Sequence, residues 1–234
     1  MDAILIAGCL VAGLLAGALA NPVIHRAPGG PSVTWPPPRR QDPGRASRAD
    51  LLIAVVTGIA FALVGARVGW SWALPAFLLF TWTLLVIAVI DVNTRKIPNR
   101  LTYPLTPALA GLLVAAALLG GEPWLSLRAV LGGLAAFAML LLLAMINPRG
   151  MGMGDVKLAG FIGLGLGYLG WAHVVLGVFA GFLLASLVLT VAMLAGRRSR
   201  KDMVPFGPYL SAGALLALLA GEPLIDGYVR LAGL

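Results

Sequence analysis

Residues 158–196 read LAGFIGLGLGYLGWAHVVLGVFAGFLLASLVLTVAMLAG, a run of 39 positions without Asp, Glu, Lys or Arg. A helix rises about 1.5 Å per residue, so one continuous helix of this length would overshoot the hydrocarbon core of a bilayer, about 30 Å thick. The run therefore predicts two membrane helices joined by a tight turn near Tyr168 to Trp171. Outside it the chain keeps the same character, with 60% hydrophobic and 11% charged residues over 234 positions. A water-soluble domain has no use for that much apolar surface, and the bilayer is the expected solvent.

Dividing the sequence at charges and at Pro or Gly clusters gives eight spans. They run from Ala3 to Ile24, Leu51 to Val68, Trp72 to Ile90, Leu101 to Leu119, Leu125 to Ile146, Val156 to Gly167, Trp171 to Gly196 and Phe206 to Ala220. Backbone polar groups left unpaired in lipid are costly, so all eight are expected to be α-helices, giving an all-α polytopic membrane bundle. The sixth is short. Ala18-Leu19-Ala20 before Asn21 imitates a leader cleavage site, but the first run has no basic leader and is long enough to span, so it reads as a retained helix.

The net charge of +8 does not imply nucleic acid, because the basic residues sit in short clusters between apolar runs. With the loop from His25 to Asp50 placed in the cytoplasm, that side receives fourteen of the 17 Lys and Arg residues, and only Arg67, Arg128 and Arg230 fall on the other. The asymmetry predicts an even number of spans with both termini outside. Trp70, Trp72, Trp124, Tyr168 and Trp171 then gather at the outer interface, where amphipathic rings anchor helices. The Pro- and Arg-rich segment from Ala27 to Ala49 reads as an extended linker or small surface loop. Gly13 with Gly17, Gly163 with Gly167, and Gly177 with Gly181 are spaced for close helix contact, although a chain with 30 glycines produces such pairs without purpose.

Two acids carry the candidate chemistry. Asp91 follows the third apolar run and opens Asp91-Val-Asn-Thr-Arg-Lys-Ile-Pro-Asn-Arg-Leu-Thr102; a carboxylate at the hydrocarbon edge is a functional candidate, or a surface acid facing water beside Arg95. Asp155 belongs to Gly150-Met-Gly-Met-Gly-Asp-Val-Lys-Leu-Ala-Gly160, where glycines let the chain pass close to an extended peptide. Alone it reads as a helix cap. Taken together, one acid closes span three and the other opens span six at the same membrane face. Two adjoining carboxyls share one proton, so that one acts as base toward water and the other as acid toward a carbonyl. His25 and His173 fall on opposite faces and make neither a triad nor a metal pair. Cys9 stands alone, without a disulfide partner or a thiolate metal set. Gly163, Gly165 and Gly167 imitate a nucleotide loop, but no strand precedes them.

Gly152-Met153-Gly154-Asp155 with Lys157 behind it, and Asp91 followed by Ile97-Pro98-Asn99 and Leu101-Thr102, make the chain resemble the type IV prepilin peptidases, membrane aspartic proteases of the Gly-x-Gly-Asp class. Pro205-Phe-Gly-Pro-Tyr209 also resembles a family segment. The resemblance implies that Asp91 and Asp155 are catalytic, that Gly152, Gly154, Lys157, Pro98 and Asn99 are motif or substrate-positioning residues, and that no metal serves proteolysis. It implies type IV prepilin or pseudopilin precursors as partners in membrane lipid, and a bacterial inner-membrane location with the site facing the cytoplasm. By the same resemblance, residues 1–24 are a first helix, 25–50 a shortened methyltransferase-region loop, and 51–234 the peptidase domain. Bifunctional members carry two zinc-spaced cysteine pairs in that loop, and none is present here. Peptidase activity is therefore the leading expectation, with S-adenosylmethionine required only if methyl transfer is retained. The alternatives are an archaellin-type preflagellin peptidase and a proton-coupled small transporter, the latter calling for acids nearer the bilayer midplane.

Overall fold

The structure is a computed structural model that describes residues 2–25, 48–147, 151–195 and 205–233. Eight helices occur among the described residues: α1 Asp2–His25, α2 Arg48–Val68, α3 Leu74–Thr94, α4 Asn99–Leu119, α5 Trp124–Ile146, α6 Met153–Leu169, α7 Trp171–Leu194 and α8 Gly207–Ala232. Seven are long and apolar enough to cross a membrane, and the chain is a multi-pass helical membrane protein. The exception is α6, whose 17 residues reach about 25 Å, short of a full crossing. Leucines and valines on the outer helix faces are exposed, as a hydrocarbon solvent allows; Leu15, Leu51, Leu127 and Leu187 are examples.

Three spans differ from their sequence boundaries in ways that matter. Helix α3 continues one turn past Ile90, because Asn93 and Thr94 bond back to the carbonyls of Val89 and Ile90 and keep the turn paired. Asp91 consequently lies inside the helix rather than beyond it. Helix α6 begins at Met153 and so takes Asp155 into its first turn. Helix α8 runs twelve residues past Ala220, carrying Glu222, which pairs with Arg67 of α2 at 2.7 Å. The expected break in the long apolar run falls at Gly170, whose φ of 156° and ψ of 163° suit glycine alone.

The helices pack through small residues, as the glycine spacing allowed. A Cβ on Gly132 of α5 would stand 2.7 Å from the Gly163 carbonyl of α6, and one on Gly17 of α1 would stand 2.6 Å from Ala54 Cα of α2. On α7, a Cβ on Gly181 would stand 2.9 Å from Leu210 Cα of α8. Without side chains at these points the backbones approach closely, and van der Waals contact rather than hydrophobic transfer holds the pairs. Helix α3 lies at the centre, with Phe77 and Phe80 fully enclosed and Phe80 stacked on Phe161 of α6 at 5.5 Å.

One end of the bundle carries the α2–α3, α4–α5 and α6–α7 turns. There Trp70, Trp72, Trp124 and Trp171 are exposed, and Arg128 of α5 donates to the last carbonyls of α6, Gly167 and Tyr168. The opposite end carries the C-terminus of α3 and the N-termini of α4, α6 and α8. Most of the linker expected from Ala27 to Ala49 lies outside the described residues, as do the basic positions at 197–201.

Candidate active site

Asp91 sits in the last turn of α3 and is 4% exposed, which removes the reading of a surface acid facing water. Its carboxylate meets the start of α8, where the Gly207 N–H donates to Asp91 Oδ2 at 2.9 Å. Arg95 ends α3 in the left-handed region at φ 53°, and its N–H donates to the Asp91 carbonyl at 2.8 Å. That turn sends the chain back across the bundle end. Pro98, extended at φ −73° and ψ 124°, then caps α4 and accepts the N–H groups of Leu101 and Thr102.

Between these points Ile97 lies across Gly154, where an added Cβ would come within 3.0 Å of Ile97 Cβ. The glycine thus lets the two sequence motifs pack against each other. Gly152, extended at φ −80° and ψ 146°, is the N-cap of α6. Asp155 is the third residue of that helix, and its N–H donates to the Gly152 carbonyl at 3.0 Å. Its carboxyl faces back toward the Gly152 N–H, as an acid at this position of a capping box does. Asp155 thus stands where a helix-start acid stands, in the first turn of α6.

Both carboxyls line one cavity of about 300 Å³ with Arg95, Lys96, Ile97, Gly152 and Gly154. Asp155 precedes the apolar run of α6, and its carboxyl is pushed up from 3.8 to about 6, by burial first and by the nearby Asp91 charge second. The Gly152 N–H pulls the other way. A carboxyl that keeps its proton toward neutrality beside a second acid has the unequal environment that acid–base chemistry uses.

The remaining motif residues divide. Gly152 and Gly154 line the cavity, whereas Lys157 turns to α4, donating to Asn99 Oδ1 at 2.9 Å and Tyr103 Oη at 3.0 Å. Its ammonium also lies 4.8 Å from the centre of the Tyr103 ring. Lys157, Asn99 and Pro98 thus brace the cavity wall. Sequence reasoning assigned no role to Gly207 or Tyr103. The Pro205–Tyr209 segment was the available signal for Gly207, but nothing in sequence spacing places it on Asp91, 116 positions away. The histidines are apart: His25 closes α1 at the aspartate end, and His173 is buried in the first turn of α7 at the tryptophan end. Cys9 packs into the α1–α2 contact, where a Cβ on Gly65 would stand 2.7 Å from its sulfur. Among the described residues no three His, Cys, Asp or Glu side chains converge as a metal site would need.

Seven helices long and apolar enough to cross a membrane among the described residues, with a pair of acids on one cavity, define a multi-pass membrane protein with an acid-pair site at one end of the bundle. The chain belongs to the type IV leader peptidase family, whose profile matches residues 78–194 and includes both aspartates. It is 33% identical over 178 residues to the prepilin leader peptidase/N-methyltransferase of Bacillus subtilis (strain 168), covering 76% of this chain and 68% of that protein. Identity is 30% over 188 residues to the protein of the same name from Stutzerimonas stutzeri, covering 78% and 62%. For that of Pseudomonas aeruginosa it is 30% over 185 residues, again covering 78% and 62%. The chain spans roughly two thirds of the length of these relatives. No solved structure matches it.

Proposed function

We propose that this protein is a membrane-embedded aspartic endopeptidase that removes the leader of type IV prepilins or pseudopilins, with Asp91 and Asp155 as its catalytic pair. The observation that carries the reading is that two carboxyls on separate helices line one cavity. In the reaction, the ionised carboxylate takes a proton from water as the hydroxyl adds to the scissile carbonyl. The protonated partner gives its proton to the carbonyl oxygen, forming a neutral gem-diol. Collapse returns one hydroxyl proton to the second acid while the first protonates the departing amine, so the C–N bond breaks and one water is consumed. The site lies at helix ends rather than in the middle of spans, which suits a substrate cut at a membrane face and speaks against a midplane transport site. The Lys and Arg clusters in the segments that the sequence places between spans on this side support a cytoplasmic face for the site.

Methyl transfer, which the relatives' names include, takes S-adenosylmethionine as donor. A four-thiolate zinc site, which bifunctional members build in the loop after the first helix, needs cysteines that this sequence, with Cys9 alone, does not have. Proteolysis is the activity assigned to the acid pair, and S-adenosylmethionine is needed only if methyl transfer is retained. The test is reconstitution of the full chain in liposomes with a model prepilin, comparing native protein with Asp91→Ala and Asp155→Ala. Either substitution is expected to eliminate cleavage while the protein still folds and inserts. Cleavage retained by either variant refutes the assignment.

A further inference from the structure

The two aspartates are not equivalent. Asp91 is enclosed, and one of its oxygens is committed to the Gly207 N–H at 2.9 Å. Gly207 is the first residue of α8, followed by Pro208, so its amide has no partner within its own helix and is aimed at the acid. An N–H at a helix start stabilises a charged acceptor more than a neutral one. A Cβ there would lie 2.8 Å from Asp91 Oδ2, so any larger residue would push the carboxyl away from the amide. Asp155 lines the same cavity and is the less enclosed of the two. The charged groups lining that cavity are Asp91, Asp155, Arg95 and Lys96. Lys157, the next cation on α6, is held by Asn99 and Tyr103 of α4. Helix α8 brings no charged side chain in its first turn, and α1 meets Ile90 of α3 through the apolar Ala20, Val23 and Ile24.

We infer that Gly207 is a positioning residue whose backbone N–H holds Asp91 as the ionised base, leaving Asp155 as the proton donor to the scissile carbonyl. The assignment rests on the acid-pair reading above and divides its labour. Asp91, with one oxygen fixed by α8, takes the proton of the attacking water on the other. Asp155, on the open side, delivers its own proton to the carbonyl oxygen and recovers one when the gem-diol collapses.

Two measurements on the full chain in detergent test this. The first is the pH profile of prepilin cleavage by Gly207→Ala, whose Cβ displaces the Asp91 carboxylate from the amide. Losing a hydrogen bond to a charged group is expected to lower kcat about ten- to a hundredfold and move the acid limb up by about one to two pH units, with KM little changed. A uniform loss at every pH, with the limb in place, would overturn the inference, because damaged packing alone does that. The second measurement is independent of how well Gly207→Ala folds: an infrared titration of the protonated-carboxyl stretch. In native protein a band should titrate out near 6; it should be absent from Asp155→Asn and survive in Asp91→Asn with a lower midpoint. A band that still titrates near 6 in Asp155→Asn puts the proton on Asp91 and overturns the division. Failure of the acid-pair reading would look different, as cleavage that survives loss of either aspartate.

Discussion

Replacing Asp155 by asparagine is expected to stabilise the folded protein at neutral pH while removing its activity. The carboxyl is raised from 3.8 to about 6 in the fold, chiefly by burial and then by the Asp91 charge. At about 1.36 kcal/mol per pH unit, that rise corresponds to about 3 kcal/mol of differential stability. The sign follows from proton counting. Between 3.8 and about 6 the folded protein holds the proton more tightly than the unfolded chain, so stability falls as pH rises through that window. Above it the native protein carries the full penalty of a charged Asp155, and asparagine, which never ionises, is free of it. The gain for Asp155→Asn should therefore be greatest above about pH 6 and vanish as pH falls to 3.8. In thermal unfolding in detergent, about 3 kcal/mol should appear as a rise of about 6–12 °C in Tm at neutral pH for a chain of this size. An unchanged Tm at neutral pH, or a gain that persists undiminished at acid pH, would refute the reasoning, since neither follows from a proton held by burial and a neighbouring charge.

Two further outcomes follow from the packing. Gly163→Ala puts a methyl against the Gly132 carbonyl, and 2.6 Å from Ala136 Cβ. The α5–α6 pair must then separate, at a cost of about 1–3 kcal/mol, read as a Tm several degrees lower; an unaltered melt would show that the contact is not tight. Lys157→Met and Tyr103→Phe each remove one end of the brace between α6 and α4. A double-mutant cycle on cleavage rate should return a coupling of about 0.5–1.5 kcal/mol, and purely additive losses would rule the brace out.

Much of this architecture is legible in residue order because lipid imposes a harsh rule on the backbone. Uncharged runs of sufficient length must be helices, and the turn near Tyr168 to Trp171 followed from length alone, with Gly170 supplying the backbone geometry. Boundaries were less legible at charged ends. The third and eighth spans read as ending at Ile90 and Ala220, yet both helices continue, with Asn93 and Thr94 bonded back into α3 and Glu222 of α8 paired to Arg67. The glycine pairs could not be told from plain abundance until the neighbouring backbones were in place. For Asp155 the sequence offered a helix-start acid and a member of the acid pair as alternatives, and the fold places one side chain in both positions, at the start of α6 and on the cavity shared with Asp91.

Sequence by itself determined the solvent, the number of helices and the two acids worth watching, since hydropathy and local spacing are properties of neighbouring positions in the chain. Tertiary structure decided what surrounds those acids: Gly207 on Asp91 from 116 positions away, Ile97 across Gly154, and Lys157 turned aside to Asn99 and Tyr103. Proton affinity depends on enclosure and on the charges and amides within a few ångströms, and those neighbours come from helices that are distant in the sequence.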